Sequence, residues 1–387
     1  MVTRILPVLL ILLLVAAWII DRRELSKRIA TRWRCVFWLP NVSLALALIF
    51  VSIHEGYTMG DDWWKQKLLT YTLLLGIPQT VYALLYFTKS FALRLGGALI
   101  VFLAMLYGLT LGWRGLCILN YDYESPAVPS SFDGYRIAQV SDLHLGTMLE
   151  HKDFVMRYCD SINALKPDLI VLTGDLVNYQ VEELAAMKSI LATLEAPDGV
   201  VSVMGNHDYL GYYHWENKAD SIRAIESLRH IQEELGWLLL ENEALTLHRG
   251  NDSIVVLGLA NDGPPRFPSL ADKALTRKVA EQPFCIFLQH DPSYFSREIA
   301  PLYTESAQTT TTQSQNKSSL TLSGHTHAMQ LRIFGWSPAA WFYPEWGGEY
   351  SKGNATLYVS QGIGSVLIPF RLGAWPEINL ITLRHKP

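Results

Sequence analysis

Cysteine is scarce in this chain, and the four present stand apart: Cys35, Cys117, Cys159 and Cys285 form no close pair. That spacing excludes a disulfide framework and a zinc knuckle, and it leaves the redox compartment open. A basic stripe is also missing. The net charge is −4 with the charges dispersed, so the footprint of a nucleic-acid binder is absent. Residues 1–118 are dominated by long apolar runs, whereas the remainder has the mixed composition of a globular domain. With 387 residues there is room for two structural units, since domains usually hold ~100–200 residues.

The apolar half reads as membrane. Ile5–Ile20, Cys35–Ile53, Leu68–Phe87 and Leu95–Trp113 each approach the ~20 residues that a helix needs to cross the hydrocarbon core. We therefore expect a transmembrane region of about four helices over residues 1–118. Trp33, Trp38, Trp63, Trp64 and Trp113 suit interfacial aromatic belts. Gly76 and Pro78 are tolerated in a membrane helix whose neighbours satisfy the freed carbonyl. Segment one has Arg4 before it, as a signal peptide would. No small-x-small cleavage site follows before Asp21, however, so a retained helix is expected. The first loop holds Arg22, Arg23, Lys27, Arg28, Arg32 and Arg34, and the third holds Lys89 and Arg94. The second mixes Glu55, Asp61 and Asp62 with Lys65 and Lys67. By the positive-inside rule loops one and three face the cytoplasm, which predicts a multi-pass inner or plasma membrane protein with an extracytoplasmic C-terminal domain.

A Pro/Ser turn stretch, Glu124–Gly134, lies within an expected linker over 119–134. From residue 135 to 387 the pattern turns to strand, helix, strand. Tyr135–Val140, Leu169–Leu172 and Val200–Met204 are short β-rich runs, with helical spacing over Lys152–Lys166 and Val181–Leu194 between them. Further strands are predicted at Ile254–Leu259, Phe284–Gln289, Leu320–Leu322, Leu357–Val359 and Ile378–Thr382. The alternation argues for an α/β domain whose sheets are covered by helices, and in such folds sites form at the carboxyl ends of strands. Ser306–Ser319 is low-complexity and reads as a surface loop without chemistry of its own.

Polar clusters stand at those strand ends. In order they are Asp142 and His144, Gly174 and Asp175, the run Gly205-Asn206-His207-Asp208, then His290, then Gly324-His325-Thr326-His327. Taken singly each has a plain structural explanation, since an Asp after a strand usually caps a helix or makes a turn. Together, five strand ends deliver only carboxylate, imidazole and amide groups, and no thiolate. Oxygen and nitrogen donors of this kind suit Mn, Fe or Zn.

This set, in this order, resembles the calcineurin-like metallophosphoesterase family, with its D-x-H, G-D, G-N-H-D, H and G-H-x-H blocks. The resemblance covers residues 135–383, and Tyr358–Arg371 is similar to the end of the family's membrane-associated branch. It implies a four-layer αββα sandwich, two β-sheets flanked by helices. It further implies two divalent metal ions bridged by Asp175, with Asp142, His144 and His327 completing one site and Asn206, His290 and His325 the other. Paired ions would lower the pKa of a bridging water and clamp an in-line displacement. His207 is then the general acid for the leaving alkoxide, and Asp208 is expected to orient its ring. One departure follows the last block: where the branch commonly has Gly-Gly-Gln, this chain has Ala328-Met329-Gln330.

Ile333–Trp346 is unusually aromatic. It reads either as packing within the domain or as an interfacial or acyl-chain surface, since Trp and Tyr favour the headgroup region. Tethering near a bilayer makes a phospholipid or another lipid-linked phosphoester the expected substrate. Some lipid-active relatives cleave the pyrophosphate of a UDP-diacylated glucosamine, a cytoplasmic substrate that conflicts with the expected topology. A sensor or scaffold with a dead phosphoesterase domain would have lost ligands, yet every position is filled. A transporter would carry ionisable residues inside its spans, and these hold almost none.

Overall fold

The computed structural model describes residues 2–53, 66–265, 267–304 and 317–386. The second-loop charges Glu55, Asp61, Asp62 and Lys65, the interfacial candidates Trp63 and Trp64, and residues 306–316 of the low-complexity segment lie outside them. The chain divides into two compact units, residues 1–112 with 367–372, and residues 113–366 with 373–387.

The first unit is helical. Its helices include α1 (Val2–Ile20), α2 (Thr31–Ile53), and two runs that begin at Gln66 and Phe91, which we call α3 and α4. Among the described residues, two helices and not the expected four are long and apolar enough to cross a membrane: Gln66–Thr88 and Phe91–Arg114. The other two expected segments are helical, but many of their side chains fall outside the described residues, and α2 opens on Arg32 and Arg34. Two basic residues assigned to loops are also neutralised. Arg94 lies inside α4, buried, and meets Glu24 at 2.8 Å. Arg34 is paired with Asp21. A charge pair costs less to hold in an apolar setting than a lone charge, so neither arginine is a free topogenic charge.

Among the described residues, the second unit holds two six-stranded sheets. The first contains β1 (Cys117–Ser125), β2 (Arg136–Val140), β3 (Leu169–Leu172), β4 (Val200–Ser202), β5 (Leu238–Leu239) and β12 (Glu377–His385), in the order β1-β12-β2-β3-β4-β5. The second contains β6 (Glu243–Arg249), β7 (Asp252–Gly258), β8 (Phe284–Leu288), β9 (Ser318–Ser323), β10 (Gly348–Lys352) and β11 (Ala355–Val359), in the order β10-β11-β9-β8-β7-β6. Leu169–Leu172 and Phe284–Leu288 are buried at every position. Strands covered on both faces have no polar side to show, which is why they read as continuous apolar runs. Ile137, Leu169 and Val201 of one sheet meet Val256, Ile286 and Leu320 of the other in a common core. Burying one such side chain contributes ~1.5–3 kcal/mol. The outer face of the first sheet packs on α5 (Lys152–Ala164), α6 (Val181–Leu191) and α7 (Lys218–Glu234). Ile299 and Ala300 help cover the second.

Two stretches differ from expectation. Part of the expected linker is strand: β1 runs parallel to β12 in register from Cys117 with Glu377 to Ser125 with His385. Ser318 and Ser319, expected in a surface loop, open β9 and are buried.

The neighbouring strands β2, β3 and β4 are parallel, as are β7, β8, β9 and β11. Parallel neighbours end at one edge of their sheet, so the polar clusters that follow these strands are collected there. The two edges are tied by a buried amide: Gln139 Nε2 donates to the Ser323 carbonyl at 2.9 Å, and Asn379 donates to Gln139 Oε1 at 3.2 Å.

Candidate metal centre

The first sheet delivers Asp142 and His144 after β2, Asp175 after β3, and Asn206 after β4. The second delivers His290 after β8, and His325 and His327 after β9. The chain must turn sharply at each point, and it does so with left-handed residues. Asp142 has φ 52°, His144 43°, Asp175 55°, His325 74° and His327 50°. Such a conformation costs ~1–2 kcal/mol for a residue with a Cβ. Strain of this kind gathers at functional sites, where the surroundings impose it. Two glycines let the strand ends close up: a Cβ on Gly205 would stand 2.2 Å from Asp175 Oδ1, and one on Gly324 2.2 Å from Asp142 Oδ2.

All seven expected ligands come together. His327 Nε2 lies 3.0 Å from Asp142 Oδ1 and 3.0 Å from His144 Nε2. Asp175 Oδ2 lies 3.6 Å from His144 Nε2 and 3.1 Å from His290 Nε2, so it faces both groups. His325 Nδ1 lies 2.7 Å from Asn206 Oδ1 and 3.2 Å from His290 Nε2.

Outer partners decide which atoms face inward. His290 Nδ1 donates to the Thr173 carbonyl at 2.7 Å, leaving Nε2 for the site. His325 Nε2 meets the Tyr343 hydroxyl at 2.7 Å, leaving Nδ1. Asn206 Nδ2 donates to the Tyr212 hydroxyl at 2.9 Å, which turns Oδ1 inward. Ligand histidines are commonly oriented through their second nitrogen in this way. Thr173, Tyr212 and Tyr343 were not singled out from sequence. A carbonyl carries no residue signature, and the tyrosines stood among many aromatics.

The donor set fits a cation. Asp142, His144, Asp175 and His290 are almost wholly buried. Burial pushes the Asp175 carboxyl up, but His290 and His207 outweigh it and hold the carboxyl well below the usual range. Burial likewise pushes Asp142 up, and His327 beside it wins in the same way. Burial lowers the His290 imidazole, yet Asp175 carries it to about 10. Two buried carboxylates thus keep a proton on a neighbouring ring, and a divalent cation can replace that proton. For His144, burial and then His207 hold the ring well below its ordinary value, so it is a neutral donor.

His207 sits at the mouth of this group, half-buried. Its backbone N–H donates to Asp175 Oδ1 at 2.8 Å, and its ring stacks on Tyr212 with centroids 4.3 Å apart. Asp208 does not orient the ring. Its buried carboxylate accepts from the backbone N–H groups of Asp175, Leu176, Val177 and Gly205 at 2.8–3.2 Å, which ties the β3 and β4 turns together. A carboxylate already turned onto four backbone donors is unavailable to its sequence neighbour. The ring partner is the Asn178 carbonyl, 2.6 Å from Nδ1. Asn178 is held in turn by Glu183, whose carboxylate accepts from its N–H and from those of Tyr179 and Gln180.

Residues 327–330 form one continuous left-handed turn, with φ of 50°, 48° and 58° at Ala328, Met329 and Gln330. Glycine would adopt this at little steric cost. Gln330 Oε1 accepts from the Val366 N–H and helps to hold the turn. We expect Ala328→Gly with Met329→Gly to raise the thermal midpoint by about 2–4 °C per kcal/mol of strain relieved. An unchanged or lower midpoint by calorimetry contradicts the assignment of strain to this turn.

Known proteins resemble this chain in sequence. The family described as calcineurin-like phosphoesterase matches residues 135–329. An uncharacterized metallophosphoesterase of Bacillus subtilis (strain 168) is 29% identical over 280 residues, covering 68% of this chain and 84% of that protein. A transmembrane protein with metallophosphoesterase domain from Danio rerio is 28% identical over 289 residues, 72% of this chain and 60% of its own. The UDP-2,3-diacylglucosamine pyrophosphatase LpxG of Chlamydia muridarum is 35% identical over 98 residues, 25% of this chain and 30% of its own.

Proposed function

The chain belongs to the calcineurin-like phosphoesterase family, a metal-dependent family of hydrolases acting on phosphoester bonds, and on that premise we propose how its residues divide the work. Asp142, His144 and His327 would hold one divalent ion and Asn206, His290 and His325 a second, with Asp175 shared between them. The observation that carries this reading is the position of Asp175 Oδ2, within 3.6 Å of His144 Nε2 and 3.1 Å of His290 Nε2. Oxygen and imidazole donors without thiolate favour Mn, Fe or Zn. Bound there, the ions supply a Lewis-acid clamp on the phosphoryl oxygens and an acidified water.

The chain's own residues do the rest. The His207 ring is fixed through Nδ1 on the Asn178 carbonyl, so Nε2 is the nitrogen available to the substrate. The acid role requires the ring as imidazolium, against the lowering that burial imposes; its Nε2 proton then passes to the departing alkoxide oxygen as the P–O bond breaks, leaving the neutral Nδ1–H ring. Asp208 positions this machinery through the backbone of both turns. Asn206, His207, His290 and His325 are thus held before substrate arrives, which is the preorganisation that makes such sites effective.

Asp175→Asn should lower kcat/KM on a chromogenic phosphodiester by about 10³-fold or more, and chelator should abolish wild-type activity, which Mn²⁺ restores. A chelator-resistant wild type, or an active Asp175→Asn, contradicts the two-metal reading. His207→Asn should cost ~10²-fold more with an alkyl than with a nitrophenyl leaving group. Equal losses on both substrates remove the acid role.

For substrate we propose a lipid-linked phosphoester, and for location a multi-pass membrane protein with an extracytoplasmic catalytic domain. The transmembrane-named relative, the name of the LpxG relative and the two apolar helices support membrane association and a lipid substrate. The orientation rests on Arg22, Arg23, Lys27, Arg28 and Arg32 of the first loop and Lys89 of the third. A reporter that works only outside the cytoplasm, fused after Pro387, should be active. Activity from a cytoplasm-only reporter at the same place reverses the orientation.

A further inference from the structure

The loop that follows the last histidine block holds its apolar side chains out into solvent. Phe334 is fully exposed at 105%, Trp341 is 73% exposed, and Ile333, Trp336 and Phe342 are 46–50% exposed. These residues lie within ten positions of one another, so the loop presents a patch and not scattered side chains. Such a patch is costly in water and marks an interaction site.

The patch is built to stay out. Ile333 and Trp336 exchange two backbone hydrogen bonds, at 2.8 and 3.0 Å, and so close a hairpin with Phe334 and Gly335 at its tip. Both tip residues are left-handed, Phe334 at φ 49° and Gly335 at φ 83°. Such a turn favours Asn, Asp or Gly at both positions, so a phenylalanine there is strained as well as exposed. Trp336 and Trp341 brace each other edge-on, with centroids 5.1 Å apart. The base is anchored by Ser337, whose hydroxyl is buried and bonds the Ala328 carbonyl and the Ala339 N–H. Folding alone offers no reason to keep a strained, fully exposed Phe at a rigid tip.

From Leu331 to Phe342 the loop carries a single cation, Arg332, and no carboxylate. The nearest downstream carboxylate, Glu345, is buried and paired with Lys352 at 2.8 Å. Tryptophan, phenylalanine and one arginine make up the chemistry of a bilayer interface, with rings among the headgroups and the guanidinium on lipid phosphate. The chain also brings this domain to a bilayer, since β1 starts directly after the apolar run Phe91–Arg114.

We infer that Ile333–Phe342 is a membrane-docking loop whose hairpin tip enters the interface of a phospholipid bilayer containing anionic lipid. The inference rests on the membrane attachment proposed above and not on hydrolysis. One residue beyond the patch, Tyr343 meets the metal-centre candidate His325, so the docked loop borders the site where a headgroup phosphoester would be attacked.

The test uses the full chain in liposomes of phosphatidylcholine with phosphatidylglycerol. Phe334→Cys, in a chain that also carries Cys35→Ser and Cys117→Ser, takes a nitroxide label, and Glu226→Cys on the exposed face of α7 serves as the aqueous control. The label at 334 should collide more with oxygen and less with a water-soluble nickel chelate than the control does. Equal, water-like accessibility at both positions overturns the inference. So does spin–spin broadening at 334 that disappears on dilution with unlabelled chain, which would make a second copy the occupant. In parallel, Phe334→Ser with Trp341→Ser should leave cleavage of a soluble phosphodiester unchanged and raise KM for a vesicle-borne phosphoester about tenfold. Equal turnover of the vesicle-borne substrate by both proteins contradicts docking, while silence of both on the soluble one indicts the enzymatic reading alone.

Discussion

Two carboxylates buried where two sheets meet set the terms for the catalytic unit. Asp142 and Asp175 are almost fully removed from water, and an isolated ionised carboxylate in such a place is costly enough that it would normally take up a proton. Here imidazole rings outweigh burial and keep both charged. The fold thereby stores negative charge beside a ring of nitrogen donors, and a divalent cation completes that arrangement. Much else in the domain serves it: the parallel strands that end together, the glycines that let Asp142 and Asp175 close in, and the Asp208 carboxylate that binds the turns from behind.

The arrangement has a local cost. Five of the seven converging candidate-ligand positions sit in left-handed backbone, and the turn after His327 continues in it for three more residues. A core of fully buried aliphatic side chains between the sheets supplies the stability against which this strain is held. The ligand geometry follows from partners outside the cluster. Thr173, Tyr212 and Tyr343 decide which nitrogen or oxygen faces inward, and Asn178, braced by Glu183, does the same for His207.

Legibility in the sequence followed the physics of each element. Buried parallel strands such as Leu169–Leu172 and Phe284–Leu288 were clear because both faces are apolar. The candidate ligands stood out because they follow those strands and differ sharply in chemistry from them. Strand β1 was hidden by its surroundings: its inward residues are only half-buried until Tyr123 and Ser125, and it adjoins a turn-rich stretch, so it read as linker. Helix α7 went unread because its sequence is largely polar, although Asn217 caps it by accepting from the Asp220 N–H at 3.0 Å. The role of Asp208 was misread because adjacency in sequence is not adjacency of side chains at a tight turn. Arg94 read as a loop charge because its partner Glu24 lies seventy positions away.

The most direct test of the proposed dinuclear centre is the metal content of the purified full chain, measured by elemental analysis after saturation with Mn²⁺ and removal of free ion. Two ions per chain are predicted for the wild type, with loss of at least one in Asp175→Asn, because that carboxylate faces both groups of donors. A wild type that saturates at one ion, or an Asp175→Asn chain that still holds two, would contradict the shared carboxylate on which the account rests.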